Sequence, residues 1–130
     1  MNTLQETIED FKLLESVEEK YQYLIQIGDK LPVFDPNFKK PENLVKGCTS
    51  RVWMSFEKDN LDYQFNFDSD SRLVKGILYL LFVSLQNLNL YEVKNLKFTT
   101  LQEIGLYQNI SINRKIGLEA TVNKVRSYAA

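Results

Sequence analysis

The run Ile77–Val83, seven apolar residues without a break, constrains the fold more than any other stretch. A helix that is apolar on all sides has to be surrounded, so the rest of the chain must wrap it. The run is far too short to cross a bilayer and reads as the middle of a buried helix from about Arg72 to Leu85. Asp68, Ser69, Asp70 and Ser71 supply several possible N-caps at its start. Just upstream the hydrophobic period changes. Leu61, Tyr63, Phe65 and Phe67 alternate with Asp62, Gln64, Asn66 and Asp68, the pattern of a half-buried strand. Arg51–Lys58 reads as its partner, with Val52, Met54 and Phe56 on one face and Trp53 on the other. Asp59-Asn60 supplies the turn of an antiparallel hairpin.

Helices are expected on both sides of this hairpin and central helix. Over Thr3–Leu14, the residues Leu4, Ile8, Phe11 and Leu14 recur at roughly helical spacing. Ser16 and Glu19 form a capping box for a second helix, whose Tyr21, Leu24, Ile25 and Gly28 follow one face and which Pro32 is expected to end shortly after Leu31. Val33–Glu42, with Pro36 and Pro41, is expected to be a loop. Downstream, Leu88–Asn95 looks like a short helical turn, and Thr99 or Thr100 caps another short helix through Leu106. Ser111 precedes a last helix with Leu118, Val122, Val125 and Ala129 on one face. There is no internal repeat and no linker. The expectation is one α+β domain over residues 1–130, a small antiparallel sheet packed against helices.

Composition removes several kinds of function. Lys and Arg number 16 and Asp and Glu 17, so the net charge of −1 argues against a nucleic-acid binder that works through a basic field. Trp53, Tyr63, Phe65 and Phe67 therefore read as a core sheet rather than a base-stacking platform. Histidine is absent, which excludes Ser-His-Asp chemistry and imidazole metal ligands. The five glycines are dispersed, with no phosphate-cradling loop. Met1–Asp10 carries Glu6, Glu9 and Asp10 instead of a basic, then apolar, export signal. A single cysteine, Cys48, excludes an internal disulfide, a four-thiolate zinc site and a cluster ligand set. A reducing compartment follows, and the chain is expected to be soluble and cytoplasmic, without a membrane partner.

Cys48 is the one soft nucleophile. It follows Gly47, which permits a tight or left-handed turn, and precedes a strand. Thr49 and Ser50 are small and polar, so the thiol can project from a loop tip where backbone N–H groups stabilise its thiolate. Lys46 and Arg51, close in sequence, are expected to lower its pKa. The plain alternative is a small buried hydrophobe. Asp68, Asp70 and Arg72 read most simply as cap and dipole partners of the central helix. Arg114 and Lys115 stand where cations oppose a helix dipole, which calls for an anionic partner or a loop contact.

Asn43-Leu44-Val45-Lys46-Gly47-Cys48-Thr49-Ser50-Arg51-Val52-Trp53 resembles the G-C-x-S-x-V-W signature of the SufE family of sulfur acceptors. Three further segments agree in order and spacing. Glu18-Glu19-Lys20-Tyr21, followed by Gly28 and Leu31-Pro32, resembles the family's second helix. Asp68-Ser69-Asp70 with Val74-Lys75-Gly76 resembles the entry to its central helix, and Arg114 with Gly117-Leu118 the R-x-x-G-L start of its last helix. The chain departs from the pattern at Asn109, where members often carry histidine, and at Ile116, where they often carry a polar residue.

The resemblance implies an α+β fold similar to the SufE and IscU folds. It also implies that Cys48 takes persulfide sulfur from a SufS-like cysteine desulfurase, stimulates that enzyme and passes sulfur to a SufBCD-like iron–sulfur scaffold. IscU binds clusters through several cysteines, which this chain lacks. Pyridoxal phosphate would belong to the desulfurase, and this chain is expected to hold no cofactor or metal. It would act as a monomer or weak homodimer. Gly47, Thr49, Ser50 and Arg51 would support the loop, with Val45 and Val52 anchoring its ends. Asp70, Arg72 and Arg114 are candidates for docking. Such a loop is expected to pack its cysteine inward and swing outward on docking. Two competing readings are a one-cysteine thiol peroxidase and a non-catalytic interaction domain with an inert cysteine.

Overall fold

The computed structural model describes residues 3–60 and 62–130. Helix α1 spans Leu4–Lys12, capped by the Thr3 side chain, and α2 spans Val17–Gly28, capped by Ser16. Strands β1 (Val52–Asp59) and β2 (Asp62–Ser69) follow, then α3 (Arg72–Leu85), α4 (Leu90–Lys94), α5 (Thr100–Glu103) and α6 (Ile112–Tyr128). The architecture is α+β. The two strands pair antiparallel in the register Val52↔Ser69 through Asp59↔Asp62, and Asn60 takes a left-handed φ of 56° in the turn. Leu61, expected to begin the second strand, lies outside the described residues.

α3 is enclosed as its composition requires: Gly76 to Val83 and Leu85 are all buried. α2 packs on one side of it and β2 on another, with α1 also touching it. The α2–α3 approach is close because glycines meet there. A Cβ on Gly28 would lie 2.7 Å from the Gly76 amide nitrogen. Phe65, Phe67, Met54 and Val52 form the inward face of the sheet. Tyr128 at the end of α6 stacks on Phe56 at 5.1 Å and so ties the last helix to the hairpin.

Several local expectations are corrected. α2 stops at Gly28, not near Leu31. Turn-type bonds from Lys30 to Ile27 and from Leu31 to Gly28 carry the chain on to Pro32. The loop after Pro32 contains two single 3₁₀ turns, Pro36–Phe38 and Pro41–Asn43, and the Asp35 side chain caps the first. The cap of α3 is Ser71, whose hydroxyl accepts from the Val74 amide, and neither Asp68 nor Asp70 performs that role. Asp68 instead receives Lys39 at 2.7 Å and Lys75 at 3.9 Å. Thr99 occupies the cap position of α5 without a side-chain bond. α4 carries a full capping box between Asn89 and Glu92 that the sequence reading passed over.

Candidate functional site

The segment 46–51 leaves the core at Val45 and returns at Val52. Both anchors are buried, and the Val45 amide donates to the Val52 carbonyl at 2.8 Å, closing the loop at its base. One end is clamped by β2: Ser69 Oγ donates to the Arg51 carbonyl at 2.7 Å, and the Arg51 amide donates to Asp70 Oδ1 at 3.1 Å. The other end is held by α6, where Lys124 Nζ donates to the carbonyls of Glu42 and Leu44 at 3.3 and 3.5 Å. Burial and the neighbouring Lys46 cation both push the Lys124 pKa down. Between the clamps Gly47 adopts φ +95°, a region that L side chains rarely enter.

That turn points Cys48 inward. Its Sγ lies 3.4 Å from the Gly117 carbonyl, to which it donates, and 3.8 Å from Thr121 Oγ1. The side chain is half-buried. Gly117 makes the approach possible, since a Cβ there would come within 3.2 Å of Sγ and 3.3 Å of the Cys48 Cα. A cavity of about 40 Å³ adjoins the sulfur. Val52, Val74, Ile77 and Leu78 form much of its wall, with Thr49, Ser50 and Arg114 also on its lining.

The electrostatics differ from the expectation. Lys46 and Arg51 are both exposed, and burial pushes the Cys48 thiol up; the hydrogen bond with Thr121 pulls it partly back. The polar partners of Sγ are a carbonyl and a hydroxyl rather than backbone N–H groups. A peroxide-reducing thiol needs a depressed pKa, and this setting has the opposite sign. An inert core cysteine fits poorly as well, because Cys48 is only partly buried and sits on a loop between two exposed residues, Gly47 and Thr49.

Of the expected docking residues, Arg114 alone reaches the cysteine cavity, where the first turn of α6 faces the loop. Its neighbour Lys115 lies over the Tyr107 ring at 4.6 Å, a local partner that the dipole argument had missed. Asp70 braces the backbone of Arg51, and Arg72 pairs with Asp29 at 3.5 Å on the exposed surface. At the two departures from the family pattern, Asn109 offers its carbonyl to the Tyr21 hydroxyl, and Ile116 is exposed on α6. Thr121 was not singled out from the sequence. Its spacing of four from Gly117 puts both on one helical face, and that was the available signal. Among the described residues, no cluster of His, Cys, Asp and Glu could hold a metal, and no helix is long and apolar enough to cross a membrane.

A family model described as "SufE: Fe-S metabolism associated domain" matches residues 5–129. An uncharacterized SufE-like protein of Rhizobium etli is 33% identical over 134 residues, an alignment that covers 99% of this chain and 90% of that protein. The solution structure of a hypothetical protein from Thermus thermophilus superposes with a TM-score of 0.75 at 21% identity. The match covers 97% of this chain and 92% of that one, and it supports the fold.

Proposed function

The chain belongs to the SufE family, and on that premise we propose that Cys48 accepts sulfane sulfur from a cysteine desulfurase and delivers it to iron–sulfur cluster assembly. Membership ties the chain to iron–sulfur metabolism, and the carrier role is the reading that the loop favours best. One observation carries it. The only thiol of the chain sits on a loop clamped at both ends, turned at a positive-φ glycine and seated beside a small, largely apolar cavity.

The chemistry is a thiolate displacement. Cys48 Sγ, once deprotonated, attacks the outer sulfur of the donor's persulfide. The new bond joins Sγ to that sulfur, the donor's S–S bond breaks, and the electron pair leaves with the donor cysteine as a thiolate. No net oxidation occurs, and no histidine is needed. The rate depends on thiolate fraction, leaving-group pKa and access. A seated thiol raised by burial is poorly ionised, so the reactive state is the loop turned outward, where water restores its acidity. Return to the seat then places the loaded sulfur beside a cavity of about 40 Å³ whose wall is largely apolar. The partners proposed are a pyridoxal-phosphate desulfurase and a cluster scaffold, reached in turn by the same loop. The site of action proposed is the cytoplasm.

Incubation with a cysteine desulfurase and cysteine, followed by intact-mass measurement, tests the reading. A gain of one or more sulfur atoms, reversed by reductant and absent from Cys48→Ser, is expected. An unmodified chain beside an active desulfurase refutes it.

A further inference from the structure

Thr121 lies one turn beyond Gly117 in α6 and is 2% exposed. Its hydroxyl is 2.8 Å from the Gly117 carbonyl and 3.8 Å from Cys48 Sγ. Three donors converge on that carbonyl: the Thr121 amide of the helical ladder, the Thr121 hydroxyl and the Cys48 thiol. A carbonyl oxygen offers two lone pairs, so one donor is in surplus. When Cys48 releases its proton to solvent, the thiol stops donating and the sulfur anion faces a carbonyl dipole. Rotation of the hydroxyl hydrogen about the Cβ–Oγ1 bond, with no heavy atom displaced, turns it from the carbonyl to the sulfur.

We infer that Thr121 is a positioning residue for Cys48, a two-way donor that serves the Gly117 carbonyl while Cys48 is a thiol and serves the sulfur once it is a thiolate. The hydroxyl then offsets part of the burial cost of the anion while the loop is still seated, before it turns outward. This inference deepens the carrier reading and takes its functional meaning from it. The residue is absent from the motifs that carry the family resemblance.

The surroundings leave Thr121 as the group that changes with ionisation. The α3 side of the cavity is apolar, formed by Val74, Ile77 and Leu78. α6 adds the cationic side chain of Arg114. The loop contributes Lys46 and Arg51, both exposed; Lys124 is engaged by two carbonyls and Asp70 by the Arg51 amide. The direction of the Thr121 effect on the thiol agrees, since it opposes that of burial. The competing reading is purely structural, because threonine hydroxyls in helices often bond the carbonyl four residues back.

The test is a pH titration of the ultraviolet thiolate band of the intact protein, with Cys48→Ser subtracted to remove tyrosine ionisation. Thr121→Val keeps the shape and removes the donor, and its midpoint is expected to rise by about half to one pH unit. Thr121→Ser restores the donor and is expected to titrate like the natural protein. A thermal melt checks folding, and if the valine variant does not fold, Thr121→Ala against Thr121→Ser gives the same comparison. Val or Ala variants that are folded and titrate with the natural midpoint overturn the inference. No desulfurase enters this titration, so failure of the mass experiment removes the carrier role without altering the titration result.

Discussion

Replacing Gly117 by alanine separates the stability of the fold from the seating of the cysteine loop. The added Cβ would stand 3.2 Å from Cys48 Sγ, 3.3 Å from its Cα and 3.5 Å from its Cβ. Comfortable contacts between such atoms lie at about 3.5–4.0 Å, so the loop must give way by a few tenths of an ångström. Overpacking of this kind costs about 1–3 kcal/mol. Alanine also favours the helix over glycine by about 0.8–1.0 kcal/mol. The helical gain is present whether the loop is seated or released, so it cancels from the opening equilibrium. The overpacking acts on the seated state alone and favours release by about 5- to 150-fold. Alkylation of Cys48 in the folded protein should accelerate by a factor in that range, with the melting temperature held or lowered, because the helical gain offsets only part of the overpacking cost. Release also lifts the burial that raises the thiol's pKa, which acts in the same direction. Labelling at the natural rate in a folded Gly117→Ala protein would refute the idea that this glycine forms the seat.

Gly47→Val has space, since the new Cβ would meet the nearest atom, Ala120 Cβ, at 3.5 Å. The φ of +95° nevertheless strains it by about 1–3 kcal/mol. Sulfur acceptance measured by intact mass should fall while far-ultraviolet circular dichroism stays native, and undiminished acceptance would contradict the loop argument. Asp70→Ala removes the acceptor of the Arg51 amide, a loss of about 1 kcal/mol confined to one clamp. Hydrogen exchange at Arg51 should quicken, and unchanged exchange would show that the clamp does not depend on Asp70. Burial raises the Cys48 pKa in the folded state above its unfolded value, so the unfolded chain releases the proton first as pH increases. The contribution of this thiol to stability is whole below the unfolded thiol's pKa and is lost as pH rises through the folded one. Urea melts of the natural protein and Cys48→Ser should diverge in the alkaline range, with the natural protein losing more; parallel pH profiles would count against the burial effect.

The hydrophobic pattern alone determined much of the fold. The apolar run at Ile77–Val83 had to become a surrounded helix, and the strict alternation from Tyr63 to Phe67 had to become a strand with one buried face. Both are local periodicities that a chain displays before it folds. The signature around Cys48 was equally legible, as was the need for a special backbone at Gly47. Charge and contact across the chain were not. Lys46 and Arg51 are neighbours of Cys48 in sequence but point into water, whereas Gly117 and Thr121, some seventy positions away, touch its sulfur. Asp70 looked like a helix cap and braces a loop, because Ser71 is the side chain positioned to accept from the Val74 amide. Burial, too, is a property of what packs on a group from other elements. The thiol's pKa therefore moved opposite to the direction its sequence neighbours implied, and only the meeting of loop, α3 and α6 could decide it.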